Sequence, residues 1–197
     1  MLSIPRDLYV PLSTGGTDKI DKAYLYGGPQ AAVATVERDF GVHIDNYVWI
    51  GLEGLVKIID TVGGVDVVTS HPVMDDYYPA DLTSSNAYDY SRVAVMGGAQ
   101  HLDGLHAMEY VRSRHDDLFS DLGRSQRQQQ VLVALRTAAN ANVAIGDIPK
   151  LTAALKGEIT TDMDLTQLPS LLGLAKKISP DQTGHVFILP PLIHDQM

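Results

Sequence analysis

Between Pro29 and Phe40 the apolar positions Ala32, Val33, Val36 and Phe40 recur at intervals of three and four. That is the period of one helix face, and Gly41 supplies a natural stop. Tyr47, Val48, Trp49, Ile50 and Leu52 form a β-rich run, and Leu55, Val56, Ile58, Ile59 and Val62 then form a helical stripe ended by Gly63-Gly64. Val65 to Val68 predicts the next strand, Leu105 to Val111 a short helix and Arg124 to Ala141 a long one. Further helices are expected from about Asp147, with Pro149 in the first turn, and over Thr166 to Ile178, before a last strand at Val186 to Leu189. Between residues 70 and 98 the periodicity fades amid prolines, aspartates and tyrosines, which predicts a long excursion near a functional face. Tyr77 and Tyr78 fit either a sugar or lipid groove or the edge of the core.

Strand, helix, glycine pair, strand is the threading of an α/β sheet. No linker, repeat or low-complexity tract interrupts the 197 residues, so a single domain over 1–197 is expected. The opening Leu2-Ser3-Ile4 reads as the end of a strand running into a Pro-Arg-Asp turn, so an N-terminal strand of the sheet is expected to be missing from this chain.

Fifteen Lys+Arg stand against twenty-four Asp+Glu, a net charge of −9, which argues against general adhesion to nucleic acid or to an anionic membrane. The absence of cysteine removes thiolate metal sites, disulfides and cysteine nucleophiles. No apolar run has the length of a membrane span. No Walker, dinucleotide-binding or serine-elbow pattern occurs, and neither His101 with His106 nor His115-Asp116-Asp117 has convincing metal-ligand spacing.

Against that acidic background, five of the eight arginines fall between 112 and 136. Arg112 and Arg114 close one helix, while Arg124, Arg127 and Gln128 lie in the first turns of the next, with Arg124 and Gln128 on one face. Planar guanidinium forks beside a helix N-terminus suit a phosphate or pyrophosphate. The same spacing also fits arginines paired with Asp116, Asp117 and Asp121 on a solvated surface.

Several short motifs occur together and in order: Ser3-Ile4-Pro5-Arg6-Asp7, Lys19-Ile20 with Ala23-Tyr24, Gly27-Gly28, Asp60 with Gly63-Gly64-Val65, Leu102-Asp103-Gly104 with Ala107, Tyr110-Val111-Arg112-Ser113-Arg114, and Asp121 to Gln129. This set resembles the LytR-CpsA-Psr family of cell-wall phosphotransferases, most strongly over residues 1–140. The resemblance implies a three-layer α/β/α fold with a central mixed sheet flanked by helices. It also implies transfer of a phosphate-linked glycopolymer, such as teichoic acid, from a polyprenyl pyrophosphate carrier to peptidoglycan at the extracytoplasmic face of the membrane, the full-length protein being membrane-associated.

Matched motif by motif, the pyrophosphate-binding positions are Arg6, Asp7, Lys19, Arg112, Arg114, Arg124, Arg127 and Gln128. Of these, Arg6, Arg112 and Arg114 are the catalytic candidates. Asp7 is expected to orient an arginine, and Arg127 ranks below the others. The family's Mg or Mn ligands lie upstream of the Pro-Arg-Asp turn, so no metal ligand is assigned here. A binder of polyprenyl phosphates without turnover is the alternative, and an acidic α/β scaffold of another kind is a third.

Overall fold

A computed structural model describes residues 1–79, 89–113, 120–143 and 155–167, with 170, 173, 184 and 186–188. Strands and helices are interspersed along the chain. Strands β1 (Leu2–Ser3), β2 (Tyr9–Pro11) and β3 (Thr17–Lys19) lead into helix α1 (Asp21–Phe40), then β4 (Val48–Ile50), helix α2 (Leu52–Thr61) and β5 (Val65–Thr69). Strands β6 (Val73–Pro79), β7 (Tyr90–Val95) and β8 (Gly98–Leu102) precede helices α3 (Gly104–Arg112) and α4 (Ser120–Asn142), and β9 (Ile159–Thr161) and β10 (Val186–Phe187) follow. The class is therefore mixed α/β. Among the described residues β1 and β10 pair in parallel, while β2–β3, β4–β9, β5–β8 and β6–β7 are antiparallel ladders.

Helix α1 begins earlier than the apolar period indicates. Its first turns, Asp21 to Tyr26, are set off by a kink at Gly27 and Gly28, where Gly28 adopts φ 68°, and Gly41 closes the helix in the left-handed region. Pro29 is tolerated because it opens the second segment, where its missing N–H is no loss. The turns predicted from about Asp147 fall outside the described residues. Of the segment from Thr166, a 3-10 turn over Leu165–Gln167 is described.

The stretch from 70 to 98 differs from expectation. Much of it is a β-hairpin, β6 against β7, with Val73 opposite Val95 and a register shift between Asp75 and Tyr78. Its inward positions are Val73, Asp75, Tyr78, Val93 and Val95. A carboxylate at an inward position, followed by a bulge, breaks the two-residue alternation that marks a strand.

The core joins this hairpin to β5, β8, α2, α3 and α4 through Ile59, Val65, Val67, Leu102, Met108, Val111 and Val131. Two motif positions explain how α2 and α3 come so close. Asp60 Oδ1 accepts the Gly104 N–H at 2.7 Å, and Asp103 caps α3 by accepting the His106 N–H at 2.9 Å. A Cβ on Gly104 would lie 2.2 Å from the Val56 carbonyl oxygen, so only glycine fits that crossing.

Candidate functional site

The Pro-Arg-Asp turn is closed by the Leu8 N–H donating to the Pro5 carbonyl at 3.1 Å. It is stitched to the end of β3 by Ile20 N–H to the Leu8 carbonyl at 2.7 Å and Asp21 N–H to the Arg6 carbonyl at 3.3 Å. These bonds bring the side chains of Arg6, Asp7, Lys19 and Asp21 together. Arg6 pairs with Asp21 at 3.2 Å and with Asp7 at 3.8 Å, and Lys19 Nζ donates to Asp7 at 2.7 Å. The Asp7 hydrogen bond and charge raise the Lys19 pKa above its ordinary value, so the ammonium stays charged. Arg6 and Lys19 are 59% and 50% exposed, so these surface pairs add little stability; their consequence is two accessible cations whose positions are already set.

A second group lies where α3 meets α4. Arg112, in the last turn of α3, stacks its guanidinium over the Tyr78 ring at 5.6 Å and donates from Nη1 to the Tyr78 hydroxyl at 3.2 Å. Tyr78 in turn donates to Met108 Sδ at 2.9 Å, and burial raises its pKa, with Arg112 opposing. Of the two tyrosines, Tyr78 is core, and Tyr77 is 60% exposed.

Arg127 faces inward. It is 5% exposed, donates from Nε to the Tyr110 carbonyl at 2.7 Å and from Nη2 to the Ser113 carbonyl at 2.6 Å, and lies over the Tyr110 ring at 5.6 Å. A cation at the carbonyl end of a helix is favoured by both hydrogen bonding and the helix dipole. Arg127 thus fastens α4 to the end of α3.

Two of the glutamines that follow make contacts across the chain. Gln129 is buried and donates to Ser3 Oγ at 2.6 Å, tying α4 to β1 just ahead of Arg6. Gln130 accepts from the Tyr110 hydroxyl at 2.8 Å and donates to the Val68 carbonyl at 2.7 Å. Arg124 is half-buried and Gln128 exposed on the same helix. Arg114, with His115, Asp116 and Asp117, lies outside the described residues, as does the side chain of Asp121.

Between α4 and β5 runs a cleft of about 800 Å³. Arg127, Gln129, Val67, Val133, Ala134 and Ala138 are among its lining residues, the last four apolar. His101 lines it too, its Nδ1 2.7 Å from Asp66, whose hydrogen bond raises the histidine pKa. Asp7 pairs with both Arg6 and Lys19, Asp21 gives Oδ2 to Arg6 while its buried Oδ1 has no hydrogen-bond partner, and among the described residues no group of three potential ligands gathers to hold a metal ion. These residues do not fit a divalent ion, and none is assigned to them. No helix among the described residues is long and apolar enough to cross a membrane.

The protein is mixed α/β, with one exposed group of paired cations at the Pro-Arg-Asp turn and a second cation-bearing group where α3 meets α4. Residues 1–189 match the model of the LytR_cpsA_psr family, and the chain belongs to that family. Among its relatives, the polyisoprenyl-teichoic acid–peptidoglycan teichoic acid transferase TagU of Oceanobacillus iheyensis is 36% identical over 178 residues, which are 87% of this chain and 51% of that protein. TagV of Bacillus subtilis, another such transferase, is 35% identical over 171 residues, 85% of this chain and 41% of that one.

The crystal structure of B. subtilis TagV superposes with a TM-score of 0.75 at 29% identity, covering 98% of this chain and 74% of its own. A structure of TagT bound to LI-WTA gives 0.69 at 26% identity, covering 95% and 64%. The chain spans about half the length, or less, of these curated relatives.

Proposed function

We propose that this chain, as one domain, grips the pyrophosphate of a polyprenyl-linked cell-wall glycopolymer for transfer to peptidoglycan on the extracytoplasmic side of the membrane. The observation that carries this reading is the bracing of α4: Gln129 ties it to β1 beside Arg6, and Arg127 ties it to the end of α3 beside Arg112. The segments that carry Arg6 and Arg112 are thereby each tied to the helix that carries Arg124, in a chain of net charge −9. The names of the transferase relatives and the LI-WTA complex of TagT support the substrate class.

In this reading Arg6, Lys19, Arg112, Arg114, Arg124 and Gln128 contact the pyrophosphate oxygens, and Asp7 orients Lys19 and Arg6. Arg127 acts from beneath by holding the end of α3. Polyprenyl units nearest the pyrophosphate lie along the apolar lining residues of the α4–β5 cleft. An acceptor hydroxyl of peptidoglycan forms a new bond to the glycan-side phosphorus, the bridging P–O bond breaks, and polyprenyl phosphate leaves with the proton given up by the hydroxyl. Transfer of this kind depends on positioning and on neutralising charge that grows on the leaving phosphate, which guanidinium groups supply.

A second reading is a polyprenyl pyrophosphate binder without turnover: the exposed Arg6 and Lys19 offer charge and hydrogen bonds to phosphate but neither nucleophile nor base. Incubating the protein with a polyprenyl pyrophosphate-linked glycan, magnesium and peptidoglycan separates the two. Release of polyprenyl phosphate with labelled peptidoglycan supports the transferase; tight binding with no release supports the binder; absence of both binding and release overturns both readings.

A further inference from the structure

Arg112 is held from two directions, and both lead to one residue that none of the motifs contains. Asp75 lies at an inward position of β6 and is 2% exposed. Its Oδ1 accepts the Tyr77 N–H at 3.0 Å, across the bulge that separates Asp75 from Tyr78 in the ladder. Its Oδ2 accepts the hydroxyl of Ser113 at 2.9 Å, and Ser113 is 1% exposed. The first bond fixes the bulge that delivers Tyr78 to the Arg112 guanidinium. The second fixes the residue directly after Arg112, whose carbonyl is gripped from the other side by Arg127 at 2.6 Å.

We infer that Asp75 is a positioning residue for Arg112, acting through Ser113 on the backbone side and through the Tyr77–Tyr78 bulge on the ring side. A buried carboxylate is costly unless its oxygens are bonded, and both oxygens of Asp75 are bonded at a strand position that favours apolar side chains, so its polar contacts give a return. The return is geometric: Arg112 meets its ligand with the end of α3 and the Tyr78 ring already in place. Preorganised contacts of this kind are sensitive to displacements on the order of 1 Å. The inference rests on the reading of Arg112 as a pyrophosphate contact, and its test separates the two.

The test uses Ser113→Ala and Asp75→Asn, each also in an Arg112→Ala background. Affinity for a polyprenyl pyrophosphate in detergent micelles is measured by calorimetry, folding is checked by circular dichroism, and the guanidinium NMR signals of Arg112 are followed without ligand. Those signals are identified by their absence from Arg112→Ala. In folded Ser113→Ala and Asp75→Asn the Arg112 signals are expected to lose their distinct shifts, with affinity about tenfold weaker. In the Arg112→Ala background the same changes are expected to cost no further affinity, since residues acting through one another are non-additive.

Arg112 signals unchanged in folded Ser113→Ala and Asp75→Asn overturn the inference whatever the ligand does. Equal losses of affinity with and without Arg112 overturn it too. If Arg112→Ala itself leaves affinity intact while the NMR signals respond as expected, the positioning stands and the pyrophosphate role of Arg112 fails.

Discussion

Replacing Arg127 with methionine keeps most of the buried volume of its stem and removes the guanidinium. Two charge-assisted bonds disappear, to the Tyr110 carbonyl at 2.7 Å and to the Ser113 carbonyl at 2.6 Å, together with the stacking on Tyr110. Hydrogen bonds to charged groups contribute about 1.5–3 kcal/mol each. Taking a charge out of the interior offsets part of that loss, because burying it was itself unfavourable. The two carbonyls left at the end of α3 gain no new partner from methionine. A net destabilisation of about 3 kcal/mol follows. For a chain of this size each kcal/mol moves the unfolding midpoint by about 2–4 °C, so a fall of about 6–12 °C is expected in a thermal melt. Arg6→Ala, which breaks only exposed ion pairs, is expected to cost less than about 1 kcal/mol. An Arg127→Met midpoint within about 2 °C of the parent would refute the role of Arg127 as the fastening between α3 and α4.

Gly104→Ala drives a Cβ toward the Val56 carbonyl oxygen, at 2.2 Å, and is expected to destabilise by about 1–3 kcal/mol, or more, in urea titration. Asp103→Ala removes the α3 cap and is expected to cost about 1 kcal/mol by the same titration. His101, its pKa raised by Asp66, contributes stability that is fully present below its unfolded value of 6.5 and lost as pH rises through the higher folded value. Melting midpoints measured upward from pH 6 are therefore expected to fall more steeply for the parent than for His101→Gln, and parallel slopes would contradict this.

Much of the fold is legible in the chain because helical periods and glycine stops are local signals. Val65 and Val67 fall in a strand read from the sequence and pack in the core, and Gly41 ends α1 where its position suggests. The β6–β7 hairpin is not legible, since Asp75 occupies a buried strand position and a bulge shifts the register after it. The same carboxylate is what the site needs, so the failure of the pattern and the bracing of Arg112 have one cause. Within the candidate site, the exposed Arg6–Asp7–Lys19 group is carried by adjacent motifs and is readable from them. Roles that depend on pairing across the chain are not. Nothing in the run Gln126 to Gln130 distinguishes the residue bonded to Ser3 from the exposed one beside it, because only the helix's rotation against β1 and β5 decides which faces inward. Composition likewise presents Arg127 as one more cation, whereas its bonds to two helix-end carbonyls make it a brace.

Affinity for a polyprenyl pyrophosphate, measured beside the corresponding polyprenyl alcohol, tests the central assignment most directly when it is run on the parent protein, Arg6→Ala and Arg112→Ala. The parent is expected to prefer the pyrophosphate strongly, and each substitution to weaken that binding by about 1.5–3 kcal/mol while leaving the alcohol unchanged. Equal binding of the two lipids, or pyrophosphate affinity unaffected by either arginine, would contradict the assignment of these arginines to a pyrophosphate site.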